Sequence, residues 1–532
     1  MIEKTQILNN QVIGCRDLNS SVTNHNSLDK TQQQSVSLPD CRFMGTFTAL
    51  SSAGKIQDPQ EKARYKELES VLDSKSRKSL DNLLKTGKLL AKNSNDGTST
   101  LQNLYKIYKE PRVQGLNNVK ILAETLKTLE NPFIITQKFG KIPDLQLNQI
   151  LSQENRETLT NGIGLDNNLA PQFNNAQFTG PVSAITAQDI NVVSSGTCVA
   201  ASMEFNLADG KPAEYARYIA GLTSPELSVK SVVKYKDIAS TMLEATDLLD
   251  KFGVENKKID WDNVEVTLKP DRKAIVRARS ESTYIQPGTR STIDTLMQST
   301  FMQIGSANSY NSLNDIRTGG FNLDNKGLTE FEKNFTEALI DNSGGKTSIT
   351  YQMVDDNKFL QGYNCDFETT KKHLLDSLNS GSNVIIGITE FDHKIKTNDG
   401  LQYSVISLNP ASNGQNIYKC VNESGQAIDI NSQNVNAETK EIIGGHEITV
   451  IGTRTEKNGD LVFVCNDTDD NYSGPVEINA KDLIPKIHHA GIPNKVLDLK
   501  DQPEIGYILL REFLDMKQQN STQMQNPVQT AA

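Results

Sequence analysis

The stretch SSGTCVAASMEFNLA, residues 194–208, places Cys198 between small residues where a polar loop gives way to an apolar segment. This pattern predicts a helix that begins at the cysteine. A free cysteine at such a position has two common roles. It fills a gap between helices as a small apolar side chain, or it is a nucleophile whose thiol pKa is lowered by the N–H groups and dipole of the helix N-terminus. The rest of the chain decides between these roles.

Length and charge bound the class of protein. The chain has 532 residues, too many for one compact core, and its length predicts roughly two to four domains. It contains 55 Lys and Arg residues and 65 Asp and Glu residues, which gives a net charge of −10, and it has no basic stripe. This charge pattern argues against nucleic acid or a membrane surface as partner. No apolar run approaches the ~18 residues of a membrane span, and the N-terminus lacks the pattern of a Sec signal peptide. We therefore expect a soluble protein that is cytoplasmic or exported without such a signal.

The cysteines indicate a reducing compartment. Their number is six, without a C-x-x-C pair, which is too sparse for a disulfide framework and wrongly spaced for zinc. We accordingly expect no metal and no cofactor. The positions are Cys15, Cys41, Cys198, Cys365, Cys420 and Cys465.

Composition divides the chain into four parts. Residues 1–57 and 516–532 are polar with few large apolar side chains, so both are expected to be disordered tails. Residues 58–161 have helical periodicity and predict a small α-helical domain, while residues 162–515 mix helical and strand patterns. Helices come first and most strands later, which favours an α+β fold class over alternating βαβ units.

The helical region has clear start signals and apolar stripes. Asp58 and Pro59 form a cap with proline at the first helical position. The stripes are most simply core, and they consist of Tyr65, Leu68, Val71 and Leu72 in one segment and Val119, Leu122, Leu126 and Leu129 in another.

Between 162 and 515, periodicity predicts further elements. Helices are expected at 198–208, 211–222, 230–252, 291–304, 329–341 and 366–379. Strands are expected at 263–268, 273–279, 348–353, 383–391, 446–452 and 461–466.

Two of these strands carry a candidate base and its partner. In IIGGHEITVIG, residues 442–452, His446 shares a strand face with aliphatic side chains, as a core histidine also would. In LVFVCNDTDDN, residues 461–471, Asn466 has the parity of Val464 and is followed by Asp467. If the strands form an antiparallel hairpin with a bulge or wide connection, Asn466 adjoins His446. A carboxamide at one ring nitrogen fixes the tautomer and leaves the other nitrogen for the thiol.

The segments GTCVAAS, GGHEITVIG and LVFVCND occur in an order that resembles the papain-like cysteine peptidase superfamily. The segment LLDSLNSGSNVIIGIT (374–389), which precedes the histidine, also resembles that superfamily and is similar to bacteriocin-processing-type peptidases. The resemblance implies that Cys198 is the nucleophile, His446 the general base and acid, and Asn466 the orienting residue. Asp467 is the alternative third member, because some branches use aspartate there. Gln188 is the nearest candidate for the family's oxyanion-hole glutamine.

The resemblance also implies an architecture. It predicts a papain-like catalytic domain over 162–515, with an N-terminal helical part, a C-terminal antiparallel sheet and an insertion at about 225–365. The small α-helical region precedes this domain.

The other cysteines and histidines have simpler explanations. Cys365, Cys420 and Cys465 have no base in their sequence context and are interpreted as structural. His393 is a rival base that follows a strand, but its charged neighbours indicate an exposed strand end. His488 and His489 are expected near a helix C-terminus, where the dipole favours them.

The sequence therefore predicts a cysteine peptidase-like hydrolase that cleaves peptide or isopeptide bonds through a Cys198 thioester. Its partner is a peptide or protein substrate, with no nucleic acid and no membrane span, and its oligomeric state stays open. Two alternatives remain. One is a thiol acyltransferase of transglutaminase type, and the other is a non-catalytic binding or scaffold protein that retains the fold.

Overall fold

The fold is mixed α+β. The computed structural model describes residues 54–138, 196–234, 237–238, 263–283, 288–306, 309–312, 315–317, 327–341, 344–351, 353–354, 360–361, 367–410, 416–421, 426–469 and 474–497. Strand pairs in these ranges are antiparallel wherever their register is defined. The α+β class predicted from the sequence is confirmed.

The helices fall mostly in the first two thirds of the chain. They are α1 (Pro59–Val71), α2 (Ser74–Lys85), α3 (Thr100–Lys109), α4 (Asn118–Glu130), α5 (Cys198–Gly210), α6 (Pro212–Leu222), α7 (Arg272–Thr283), α8 (Thr292–Gly305), α9 (Glu330–Asp341), α10 (Phe367–Asn379) and α11 (Ala480–Leu483). None of these described helices combines the length and apolar character needed to cross a membrane.

The strands concentrate in the C-terminal third. They are β1 (Val229–Val233), β2 (Val264–Leu268), β3 (Tyr310–Asn311), β4 (Ile316–Arg317), β5 (Lys346–Thr350), β6 (Met353–Val354), β7 (Leu360–Gln361), β8 (Val384–Thr397), β9 (Gln402–Pro410), β10 (Asn416–Val421), β11 (Ala427–Asn431), β12 (Val435–Thr455), β13 (Leu461–Asn466), β14 (Val476–Asn479) and β15 (Ile487–Pro493).

The chain forms two compact units. The smaller unit contains the described residues between 353 and 361 and between 389 and 445, and the larger unit contains the other described residues. The strands β8 and β12 each continue from one unit into the other. Most of the described residues of the smaller unit belong to strands after residue 388. The insertion expected at about 225–365 stays a prediction.

In the larger unit, α1 to α4 share a hydrophobic core with α5 and α6. Leu68, Leu104 and Leu122 of the early helices have no exposed surface, and neither has Phe205 of α5. The ring of Phe133 lies 5.2 Å from that of Phe205, centroid to centroid. The helical region is therefore built into the unit that carries Cys198, and it does not form the separate small domain that its periodicity indicated.

Local sequence signals explain how the early helices begin. The Asp58 carboxylate accepts a hydrogen bond from the Gln60 amide at 2.7 Å, and Pro59 is the first residue of α1, as predicted. The predicted stripe in α4 is correct at Leu122, which is fully buried, and wrong at Val119, which is 37% exposed. Val119 lies in the first turn of α4, at the edge of the buried face.

The segment 273–279 was predicted as a strand and lies within helix α7. Its β-branched residues suggested a strand, but two interactions that are specific to a helix stabilise the helical conformation. The Asp271 carboxylate accepts a hydrogen bond from the Ala274 amide at 2.7 Å at the start of the helix. One turn on, Arg277 and Glu281 form a buried i,i+4 ion pair at 2.7 Å.

The opposite error occurs at 230–252, which was predicted as a helix. Its start lies in β1, where residues alternate between buried and exposed as they pair with β2. Residues 239–252 lie outside the described ranges. The other predicted helices begin and end within two residues of α5, α6, α8, α9 and α10.

In the smaller unit, β9 pairs with both β8 and β10, and β10 pairs with β11. Its core consists of Ile395, Tyr418, Cys420 and Ile430.

In the larger unit, β15 lies between β5 and β8. There His489 is opposite Gly387 of β8, and a Cβ atom at Gly387 would collide with the His489 ring.

We expect Gly387→Ala to lower the free energy of unfolding by about 1–3 kcal/mol, because the added methyl group must displace a ring held by two carboxylates. Those carboxylates belong to Glu330 and Glu447. Chemical denaturation measures the change. The matched control is Gly210→Ala, where a Cβ would meet no atom within 4 Å and the effect should stay within about 0.5 kcal/mol. Equal effects of the two variants would contradict this interpretation.

Glu124 in α4 provides a pH-dependent prediction. Burial raises its carboxyl pKa to about 7, and neither carboxylate oxygen has a hydrogen-bond partner among the described residues. Between the ordinary pKa of 4.5 and about 7 the folded state binds the extra proton, so stability falls as pH rises through that window. Glu124→Gln should remove this loss of stability. The free energy of unfolding of the variant should exceed that of the wild type by an amount that grows from pH ~4.5 to ~7 and reaches at most roughly 3 kcal/mol.

The control for Glu124→Gln is Glu67→Gln. Hydrogen bonds from Lys109 and Tyr105 lower the pKa of Glu67, so its removal should give no stabilisation as pH rises. Denaturation midpoints of both variants and the wild type, measured from pH 4 to 8, provide the test. A Glu124→Gln gain that is independent of pH would show that the carboxyl is not protonated in the folded protein.

Candidate active site

Cys198 is the first residue of α5, and its side chain is partly exposed. The predicted helix therefore begins at the cysteine. The N–H groups in the first turn of a helix have no carbonyl partner within the helix. They place a partial positive charge beside the Cys198 side chain.

The loop before Cys198 is held by residues from elsewhere in the chain. The Gly196 amide donates to the Asp315 carboxylate at 2.6 Å. The Thr197 hydroxyl contacts the buried Arg290 guanidinium and donates to Gln298 Oε1 at 3.3 Å. The position of the thiol is thus fixed on the loop side as well as by the helix.

His446 lies on β12, which pairs with β13 in an antiparallel hairpin. In the register of the hairpin, Asn466 is opposite Thr449, and a bulge at Ile451 shifts the pairing. A hairpin with a bulge was predicted. The pairing differs from the expected one, however, because Asn466 is not opposite His446.

The His446 ring contacts two groups of the predicted site. Its Nε2 atom lies 2.8 Å from Asp467 Oδ1, and the Cys198 thiol is near enough to raise the pKa of the ring. Because Asp467 occupies Nε2, Nδ1 is the nitrogen left to exchange a proton with the thiol. The side chain of His446 is 15% exposed, so the ring is shielded while an edge remains open to solvent.

Electrostatics favour a charged imidazole at this position. Burial by itself lowers the pKa of His446, but the Asp467 carboxylate and the Cys198 thiol together hold it well above the ordinary value of 6.5. Burial likewise raises the pKa of Asp467, yet the adjacent imidazole keeps it below its ordinary value. The arrangement thus stabilises an imidazolium between a thiol and a carboxylate.

Asn466, the preferred third member in the sequence analysis, is 2% exposed, and its Nδ2 atom has no hydrogen-bond partner among the described residues. Asn466 was preferred because it shares the strand parity of Val464. Residues 462–466 of β13 are all buried, however, so alternation along this strand does not separate a face toward the site from a face toward the core. Asp467 follows the last residue of β13, and its side chain is the one that reaches His446. The alternative third member is therefore the one in contact.

A short segment after α4 supports the Asp467 loop. The Thr468 carbonyl accepts hydrogen bonds from the Thr136 hydroxyl at 2.9 Å and from the Gln137 amide at 3.1 Å. The carbonyl of Lys138 accepts from the Arg290 amide at 2.8 Å. Residues 136–138 thus link the loop that carries Asp467 to Arg290, which contacts the loop before Cys198. Sequence reasoning missed them because they lie far from every motif.

The remaining candidates fall elsewhere. His393 in the smaller unit pairs with Glu438 at 2.6 Å, and its side chain is only 12% exposed, in contrast to the exposed strand end that was expected. His488 and His489 lie in β15, which directly follows a 3₁₀ turn over Ile484–Lys486, so a short helical segment ends nearby as expected. Cys420 and Cys465 are buried free thiols, and burial raises the pKa of both. Gln188, Cys15, Cys41 and Cys365 lie outside the described residues.

Comparisons of the chain with protein-family models, with curated proteins and with solved structures give no match.

We expect Asp467→Asn to lower the pKa of His446 toward the ordinary 6.5, because the substitution removes the charge that favours the imidazolium. The wild-type ring then keeps its proton to a higher pH than the variant ring does. NMR of histidine rings, with His446 assigned by its loss in His446→Ala, reports the titration. Asp469→Asn is the matched control, since the Asp469 side chain lies near Lys138 and is not a partner of the ring. An unchanged titration in Asp467→Asn would disprove the assignment.

Proposed function

We propose that the protein is a cysteine peptidase-like hydrolase that cleaves a peptide or isopeptide bond. The observation that carries the proposal is one connected arrangement. Cys198 begins α5 and is near enough to His446 to raise the pKa of its ring, and the Nε2 atom of that ring lies 2.8 Å from Asp467 Oδ1. A nucleophile, a base and an orienting group in contact are the requirements of this chemistry.

Each residue has a defined part in the reaction. His446 takes the thiol proton, and the Cys198 thiolate attacks the substrate carbonyl carbon to form a tetrahedral oxyanion. N–H groups in the first turn of α5 are suited to stabilise that charge. His446 then gives its proton to the leaving amine as the C–N bond breaks, which leaves a thioester on Cys198. Water, deprotonated by His446, attacks the thioester and releases the acid and the thiol.

Asp467 orients the ring and stabilises its charged form. Held at Nε2, the imidazole presents Nδ1 to the sulfur throughout the cycle. A charged carboxylate stabilises the imidazolium more strongly than a carboxamide would.

The resemblance to papain-like peptidases supports the same assignment at a finer level. The chain order of cysteine, histidine and acidic residue agrees with that superfamily, and so does a cysteine at a helix start with a histidine on a later strand. We therefore include a papain-like catalytic arrangement in the proposal. Asp467 takes the third position.

The proposal is tested by labelling the full chain with an electrophilic peptide, an epoxysuccinyl derivative. We expect stoichiometric modification of Cys198, located by mass spectrometry, and no modification there in Cys198→Ala. His446→Ala should slow labelling by roughly 10²–10⁴-fold, the usual contribution of a positioned base. His393→Ala is the matched histidine control and should label at the wild-type rate.

A different labelling pattern would contradict the proposal. Slow labelling of several cysteines at similar rates, unaffected by His446→Ala, would mean that Cys198 is not activated. The protein would then be a binding or scaffold protein that retains this arrangement without catalysis.

A further inference from the structure

A second cluster of metal-ligating side chains lies in the larger unit and takes no part in the proposed mechanism. Glu330 is the first residue of α9, and His488 and His489 lie in β15. One oxygen of Glu330 lies 3.2 Å from His488 Nδ1 and 3.1 Å from His489 Nδ1, and the two Nδ1 atoms are 3.0 Å apart. Two imidazole nitrogens and one carboxylate oxygen are thus close enough to one another to hold a metal ion.

The backbone explains how two consecutive strand residues reach the same centre. Successive side chains of a regular strand point to opposite faces. In the pairing of β15 with β8, Ile487 is opposite Ile388 and His489 is opposite Gly387, so the register shifts at His488. A bulge of this kind redirects a side chain. It turns His488 and His489 toward Glu330.

Neighbouring groups fix the tautomer of His489. Its Nε2 atom lies 2.7 Å from Glu447 Oε1, and the other oxygen of Glu447 lies 3.2 Å from the buried Lys333 ammonium. A histidine that donates Nε2–H to a carboxylate keeps an electron pair on Nδ1. Carboxylate partners of this type typically support metal-binding histidines.

We propose that Glu330, His488 and His489 form a binding site for a divalent transition-metal ion, with Zn²⁺ as the best fit. Bonds of about 2.0–2.1 Å place neighbouring ligand atoms roughly 2.8–3.0 Å apart in octahedral geometry and roughly 3.3–3.4 Å apart in tetrahedral geometry, a range of about 2.8–3.4 Å. The three distances of 3.0–3.2 Å fall within that range. Two imidazoles and a carboxylate also suit Zn²⁺ by ligand type.

Such an ion would tie the start of α9 to β15. Glu447 directly follows His446, so the site adjoins the strand that carries the proposed base. No metal was expected from the sequence, because the six cysteines are wrongly spaced for zinc. Glu330 is distant from the two histidines in the chain, so no local motif joins these three residues.

The test uses the full chain with Cys198→Ala, since the thiol and imidazole of the proposed active site could otherwise bind the probe. The chelator-treated protein is titrated with Zn²⁺ in competition with a chromogenic chelator, and with Co²⁺ for its absorption spectrum. We expect one equivalent of Zn²⁺ to bind and to raise the melting temperature.

Ligand variants are made in the same background. Glu330→Gln and His488→Ala should each weaken binding by at least roughly 100-fold, because loss of a supporting residue alone costs 10–100-fold. His393→Ala, in the smaller unit, should leave the affinity unchanged. Circular dichroism verifies that each variant is folded, and Glu330→Gln preserves the shape of the side chain if His488→Ala does not fold.

Two results would overturn the proposal. One is the absence of Zn²⁺ and Co²⁺ binding in the Cys198→Ala background. The other is one-equivalent binding that survives both Glu330→Gln and His488→Ala. Because the thiol is absent throughout, these results are independent of the peptidase proposal.

Discussion

The contact between His446 and Asp467 is the constraint on which the candidate site depends. Both residues belong to one hairpin, whose bulge at Ile451 sets the register between β12 and β13. With Nε2 engaged, the ring has one nitrogen for the thiol, and the carboxylate makes the protonated ring stable in a shielded place. Without this contact, burial would favour a neutral imidazole and the thiol would lose its charged partner.

The nucleophile comes from a distant part of the chain, so the site requires long-range connections. Gln298 of α8 supplies one, because its amide donates at 3.0 Å to both the Thr136 carbonyl and the Glu204 carboxylate, while its oxygen accepts from Thr197. Glu204 lies on α5, and burial with the nearby Asp294 raises its pKa well above the ordinary value. A polar network thus anchors α5 and its preceding loop to the segment after α4. The early helices consequently serve the site as well as the core.

Three buried charges of α9 have partners of opposite sign, which offsets the cost of their desolvation. Arg317 is paired with Glu332, Lys346 with Glu337, and Lys333 with Glu447. These pairs connect α9 to β4 before it and to β5 and β12 after it. The cluster of Glu330 with the two histidines of β15 continues this pattern, and its convergent nitrogens distinguish it from an ordinary ion pair.

The sequence by itself determined the elements whose signals are local. The start of α5 at Cys198, the bounds of β13 and the Asp58 cap follow from periodicity and capping, which act over a few residues. It also supplied Cys198 and His446, with Asn466 as the preferred third member and Asp467 as the alternative. Only the tertiary structure decided between Asn466 and Asp467, because that choice depends on a bulge and on where the chain turns after a strand buried on both faces. Packing between segments far apart in the chain also decided two other features, which no local pattern encodes. These are the support of the site by residues 136–138 and the contact of Glu330 with His488 and His489.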